Sequence, residues 1–199
     1  KKYADFFGVK CGEKNVFFTN NDSAYESALC LYNKGIKVDA IIDIRNNSNS
    51  KIVKAVEQVG IQIYWSHTVV DTNGYRRLNN ISIMKLSNDG MTVTGDRINI
   101  SCDCLGVAGG WTPAVHLFTQ SGGKLKFDED NNVFLPNKYP SDQISVGSCN
   151  GNFNLKEIIN ELSINLKEFL KINQTDFDNI EIESEEETSK RNIWLLPSD

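Results

Sequence analysis

Residues 15–28 read NVFFTNNDSAYESA: a short apolar run, a tight polar turn and the opening of a helix. A second apolar run, VDAIIDIR, follows at Val38–Arg45. A strand, a helix and a second strand within about thirty residues form a βαβ unit, whose strands run parallel through a right-handed crossover. Where such a unit holds a dinucleotide, G-x-G-x-x-G stands between strand and helix, because glycine lets the backbone approach a pyrophosphate. Here Thr19, Asn20, Asn21, Asp22 and Ser23 occupy the turn, and their side chains would fill that space. The layout of a nucleotide site is present; its phosphate chemistry is in question.

The pattern extends in both directions. Residues 1–8 suggest the end of a helix stopped by Gly8. The first strand is Val16–Thr19, and the first helix of the unit is Asp22–Asn33, closed by Gly35. After the strand Val38–Ile44, Ser50–Val59 places Ile52, Val53, Val56 and Val59 on one helical face and stops at Gly60. Ile61–Trp65 is a third strand. Thr68–Gly74, Arg77–Ser87 and Met91–Ile100 then alternate polar and apolar residues, which predicts an antiparallel meander. CDCLGVAGG (102–110) reads as a buried strand with Cys102 and Cys104 on one face. Beyond GGWTPAVHL the chain is loop-like through Pro140, with a hairpin at Leu125–Leu135. Gln143–Val146 is expected to be a short strand ending at Gly147. A helix over Leu155–Ile172 follows, its broad buried side made by Ile158, Ile159, Leu162, Ile164, Leu166, Phe169 and Leu170. EIESEEETSKR (181–191) is an acidic, solvated linker.

A chain of 199 residues with 40% hydrophobic and 24% charged residues is an ordinary globular composition. Its net charge of −5 supplies no basic stripe, which argues against nucleic acid or an anionic membrane as partner. Apolar runs such as 39–44 and 105–108 are too short to span a bilayer. Lys1 and Lys2 lead into a polar stretch instead of the long apolar segment of a signal peptide. Five scattered cysteines and two histidines have neither the spacing of a zinc site nor that of a dithiol centre. Reduced, buried thiols in a cytoplasmic protein are the expectation. We read the chain as a fragment of something longer.

Three parallel strands, a meander, a strand closing in Gly-Gly-x-Thr-Pro and a later Gly–helix turn resemble the disulfide-reductase-like flavoproteins. GVAGGWTPAV (106–115) and SVGSCNGNF (145–153) match their crossover and closing turns. Within that group VFFTNNDSAYESAL (16–29), LGVAGGWTPAVHLFTQSGGKLKFDE (105–129), GSCNGNF (147–153) and IWLLP (193–197) resemble the alpha subunits of heterotetrameric sarcosine oxidases. The resemblance implies an α/β fold: a Rossmann-like three-layer domain, parallel sheet plus antiparallel meander, with a returning segment of a second dinucleotide-binding domain. Residues 12–110 would be the NAD(P)-domain-like fold with a degenerate fingerprint. Residues 111–175 would be the returning segment of the NAD-holding, flavin-type domain, and 176–199 a linker toward a further domain. The implied complex demethylates sarcosine oxidatively to glycine, giving hydrogen peroxide and formaldehyde, or methylene-tetrahydrofolate. It contains beta, gamma and delta subunits, with FAD on beta, FMN at the alpha–beta interface and tetrahydrofolate in a downstream domain of alpha. The present chain would contribute scaffold and a partial NAD site and would be inactive alone. Two alternatives stay open: a nucleotide-free interaction module, and a subunit of an opine or cyanide-forming amino-acid dehydrogenase.

Individual residues carry competing readings. The Thr19–Ser23 turn is either a modified nucleotide site or a vestigial turn in which Asn20, Asn21 and Asp22 cap the helix through side-chain oxygens. Asp43 stands where an acidic residue would take a ribose hydroxyl, yet without the glycines a solvated loop carboxylate is expected. Arg45 is its partner or the remnant of a residue favouring a 2′-phosphate. By resemblance the cofactor contacts fall on Gly147, Ser148, Phe153 and Leu155, where a turn meets a helix N-terminus. The alternative there is a simple helix start capped by Asn152 or Asn154. Gly109–Pro113 reads as a structural crossover, and His67 and His116 as structural residues. No nucleophile–base pair, paired carboxylates or metal site is recognisable, so no residue here is assigned to catalysis.

Overall fold

The computed structural model describes residues 1–140 and 143–173, together with Ile180 and Pro197. Two compact units divide the chain, one containing Lys1–Gly110 and one beginning at Trp111. The predicted linker at 176–199 lies outside the described residues apart from those two positions.

The first unit opens with helix α1 (Lys2–Phe7), ended by Gly8 at φ 60°, a conformation that glycine adopts without a Cβ penalty. Strand β1 (Asn15–Thr19), helix α2 (Ser23–Asn33), strand β2 (Val38–Asp43), helix α3 (Lys51–Gln58) and strand β3 (Gln62–Trp65) follow. The three strands are parallel, as the βαβ reading requires. Ser50 caps α3, its hydroxyl accepting the Val53 N–H at 3.5 Å. Strands β4 (His67–Asn73), β5 (Asn80–Leu86) and β6 (Val93–Ser101) form the antiparallel meander. Strand β7 (Cys104–Ala108) returns beside β1, giving the sheet order β3-β2-β1-β7.

Both faces of the central strands β1 and β2 are covered, which is why these read as mainly apolar runs. On one face Ile41 packs with Tyr25, Ala28 and Leu31 of α2 and Val53 and Val56 of α3. On the other, Val16, Ala40 and Ile42 meet Ile81 and Ile83 of the meander. The alternation of Ala40, Ile41 and Ile42 between the faces follows from the two-residue period of a strand. The result is a three-layer α/β/β sandwich.

Two expectations for this unit are corrected. β7 is the edge strand and only half buried, with Val107 66% exposed. Cys102 precedes β7, and the bend at Asp103 lies between it and Cys104. Cys102 sits in the meander-side core, where burial above all pushes its thiol up to about 11. The bend has a cause in the N-terminal arm: the Asp103 carboxylate accepts the N–H groups of Glu13 at 3.0 Å and Lys14 at 2.8 Å.

The second unit contains helix α4 (His116–Gln120), the hairpin of β8 (Lys124–Asp128) and β9 (Val133–Lys138), a 3-10 turn at Gly147–Asn150 and helix α5 (Leu155–Leu170). α4 lies where the sequence suggested only loop. Residues 143–146 form no strand, although Val146 is extended; a strand needs a neighbour for its ladder, and none adjoins it among the described residues. Nor has α5 a broad buried side. Its one fully buried described residue is Ser163, and Leu155, Ile164, Phe169 and Leu170 are exposed. A hairpin and one short helix offer too little surface to cover the stripe.

The Asp103 clamp yields a pH signature. Its two backbone hydrogen bonds hold the carboxyl below the ordinary value of 3.8. The clamp therefore stabilises the fold above that value and fades as pH falls through the lowered one. Thermal melts should show Asp103→Asn less stable than wild type at about pH 7, with the two converging as pH falls through the lowered value. An unchanged gap across that range would contradict the assignment.

Candidate functional site

The turn after β1 is closed by its own side chains. Short polar residues bond readily to nearby backbone, and here Thr19, Asn20 and Asn21 do so. The Thr19 hydroxyl donates to the Asn21 carbonyl at 2.8 Å and accepts the Asn21 N–H at 3.1 Å. Asn20 Nδ2 donates to the Gly109 carbonyl at 3.1 Å. Asn21 Nδ2 donates to Asn20 Oδ1 at 2.7 Å, and Asn21 Oδ1 accepts the Ser23 N–H at 2.9 Å. Thr19, Asn20 and Asn21 are all buried. Of the three residues expected to cap α2, only Asn21 does so; Asn20 ties the turn to the end of β7. Asp22 holds the N-cap position without a side-chain cap bond.

The Asp22 carboxylate is directed to Arg45 instead, with Nη1 to Oδ1 at 2.8 Å. Arg45 reaches Asp43 on its other side, Nη2 to Oδ2 at 2.7 Å and Nε to both carboxylate oxygens at 3.1 Å. Its backbone N–H also donates to Asp43 Oδ1 at 2.8 Å, and the Tyr25 hydroxyl donates to Asp43 Oδ2 at 2.8 Å. The guanidinium lies 5.8 Å from the centroid of the Tyr25 ring.

This overturns the expectation of a solvated Asp43. Asp43 is 0% exposed and Arg45 3%. Asp43 ends the central strand β2 and is flanked in register by Thr19 and Trp65, so it lies inside the sheet. Burial opposes the guanidinium's charge, but Asp43 and Asp22 hold it protonated, above its ordinary range. Burial and then the Asp43 carboxylate raise the Tyr25 phenol well above its ordinary value, leaving it a neutral donor. Tyr25 was not foreseen from sequence; only its place one turn into α2 could have suggested it.

In the second unit the four positions assigned to cofactor contact lie on one turn. Gly147 adopts φ +69°, and a Cβ there would come 3.2 Å from Ile158 Cγ2. The Ser148 carbonyl accepts the Ala114 N–H at 3.3 Å. The Phe153 ring tilts against Trp111, centroids 6.3 Å apart. Leu155 opens α5 and is 58% exposed. The N–H groups of this region are largely engaged. Asn154 Oδ1 accepts those of Lys156 and Glu157 at 3.0 and 3.3 Å, so Asn154 is the cap. Gly147 N–H donates to Glu161 Oε2 at 3.0 Å, a contact that no sequence pattern signals. With the N–H groups of Gly147, Lys156 and Glu157 engaged, the apolar surfaces of Phe153 and Leu155 are what these positions could offer a cofactor.

Elsewhere, His67 bonds the Trp65 carbonyl through Nδ1 at 2.7 Å, and His116 begins α4. No helix among the described residues is long and apolar enough to cross a membrane.

The fold is one found in a flavoprotein disulfide reductase. The HOCl-induced flavoprotein disulfide reductase RclA from Escherichia coli shares it with a TM-score of 0.52 at 15% identity, over 81% of this chain and 36% of that one. No family profile matches the sequence. Among curated proteins, the chain is 33% identical over 155 residues to the sarcosine oxidase alpha subunit of Corynebacterium sp. strain P-1, covering 77% of this chain and 16% of that one. Identity to the alpha subunit from strain U-96 is 30% over 151 residues, 76% of this chain and 15% of the relative. That from Rhizobium meliloti strain 1021 is 30% identical over 136 residues, 68% of this chain and 12% of the relative. The chain belongs with the sarcosine oxidase alpha subunits and spans less than a fifth of their length.

Removing the Arg45 guanidinium leaves two carboxylates facing each other with no cation between them. Arg45→Ala should cost about 3–5 kcal/mol in urea unfolding, and Tyr25→Phe about 1–2 kcal/mol. Near-wild-type stability of Arg45→Ala would contradict the arrangement.

Proposed function

We propose that this chain is the middle part of the alpha subunit of a sarcosine-oxidase-type complex. Residues 12–110 serve there as a domain that has given up its own nucleotide, and 111–175 as one wall of an NAD site. The complex would convert sarcosine, dioxygen and water to glycine, formaldehyde and hydrogen peroxide, with tetrahydrofolate trapping the one-carbon product when present. FAD and FMN would lie on or against the beta subunit, with gamma and delta completing the assembly in the cytoplasm. The present chain alone would be inactive.

The closed Thr19–Ser23 turn is the observation that carries this reading. A disulfide reductase needs a seat for an external hydride donor. An amine oxidase draws its electrons from the amine and does not. Filling that seat with Asn20, Asn21 and the Arg45 ion cluster costs such an enzyme no function. NAD, when bound, supplies a dinucleotide capable of hydride chemistry. Around it Ser148, Phe153 and Leu155 would offer backbone and apolar surface, and Gly147 the sharp turn that brings them together.

A second reading is a nucleotide-free interaction module. It draws support from the internal occupation of the donors of Gly147, Lys156 and Glu157. Purification of the full-length subunit with its partner chains separates the two. The oxidase reading predicts sarcosine-dependent oxygen uptake with equal yields of formaldehyde and peroxide, and NAD released from the alpha subunit on denaturation. Absence of both activity and NAD would favour the module. Oxidation of an opine or of glycine in place of sarcosine would move the chain to a related dehydrogenase.

A further inference from the structure

A single carboxylate spans the turn on which the NAD reading depends. Glu161, about two helical turns into α5, reaches back to the 3-10 turn at Gly147–Asn150. Its Oε2 accepts the Gly147 N–H at 3.0 Å, and its Oε1 accepts Asn150 Nδ2 at 2.6 Å. One side chain therefore ties both ends of the 3-10 turn to the helix that follows it. Glu161 is half-buried, so both bonds lie partly shielded from water.

The turn it holds has little freedom elsewhere. Gly147 and Gly151 both adopt positive φ, +69° and +83°. A Cβ at Gly151 would meet Leu135 Cδ2 at 2.6 Å, so β9 presses directly against that backbone. The Asn152 N–H closes the turn on the Gly147 carbonyl at 3.0 Å, and Cys149 Sγ bonds the Val146 carbonyl at 3.0 Å. The Val146 carbonyl and the Gly147 N–H belong to one planar peptide, so against its rotation the Cys149 thiol supplies a weak restraint and the glycine, lacking a side chain, supplies none. The Glu161 bond to its N–H prevents that rotation, and a charge-assisted hydrogen bond is stronger than a neutral one.

We propose that Glu161 is a positioning residue for the dinucleotide site, fixing the Gly147–Asn150 turn in the conformation that presents Ser148 and Phe153 to the ligand. The inference rests on the NAD reading above. Glu161 acts through the turn and does not itself contact ligand. What the clamp supplies is geometry, because a binding surface retains affinity only when its groups are held in place by their neighbours.

The role separates cleanly from a charge effect. In Glu161→Gln the amide oxygen still accepts the Gly147 N–H, and the amide nitrogen can donate to Asn150 once the Asn150 amide is reversed. Glu161→Ala removes both bonds. In the full-length subunit within its complex, NAD affinity should weaken at least about tenfold in Glu161→Ala and stay within about threefold of wild type in Glu161→Gln. Hydrogen exchange at the Gly147 amide should quicken in the Ala variant alone, with melting temperatures close to wild type. Should Glu161→Ala fail to fold, Asn150→Ala, which cuts one arm of the clamp, should weaken NAD binding by a smaller factor. Wild-type NAD affinity in a folded Glu161→Ala protein with fast Gly147 exchange would overturn the positioning role and leave the NAD site standing. Failure of the wild-type protein itself to bind NAD would overturn the NAD reading and the role together.

Discussion

One buried guanidinium sets the character of the first unit. Arg45 sits between Asp22 at the start of α2 and Asp43 at the end of β2, with Tyr25 completing the shell. In an open α/β sheet this edge, beyond the carboxyl ends of the strands, is where ligands bind. Here the protein's own charges occupy it. Buried ion pairs contribute little net stability compared with apolar packing, because desolvation offsets the Coulomb gain. Their removal one partner at a time is nevertheless costly. The cluster thus ties α2 to β2 and commits the guanidinium to the protein's own carboxylates.

The same economy recurs in the second unit, described on its own terms. Glu161 occupies the Gly147 N–H and Asn154 the first N–H groups of α5. In both units, acidic or amide side chains stand where a phosphate would otherwise be attracted to free backbone donors. The first unit is sealed by it. The second retains an apolar face at Phe153 and Leu155, which is the physical basis for assigning it the uncharged part of a cofactor.

Much of the fold was legible in sequence because its signals are local. Mainly apolar runs at 16–19 and 38–44 mark strands covered on both faces, alternation at 80–86 marks the meander, and glycines at 8, 35 and 60 end helices. The glycine-less turn was also visible, since its five residues suffice to read it. What was not legible depends on contacts between distant residues. Asp43 reads as a loop carboxylate until Arg45 and Tyr25 are seen to neutralise and bond it inside the sheet. β7 resembles a core strand by composition, but its place at the edge is a matter of topology. Residues 143–146 have strand propensity and no neighbour to pair with among the described residues. The apolar positions of α5 predict burial, which depends on what surrounds the helix. Glu161 gives no signal at all, because its partners lie eleven and fourteen residues away and are chosen by a glycine turn.

The central claim is that the Thr19–Ser23 turn keeps the frame of a dinucleotide site and has closed it from within. Hydrogen exchange of residues 15–28 in the folded protein, with and without millimolar NADPH, tests this most directly. The account predicts the same slow exchange in both samples, because Thr19, Asn20 and Asn21 already satisfy the turn's backbone. New protection at Asn20–Ser23 on adding NADPH would show an open, functioning site and contradict it.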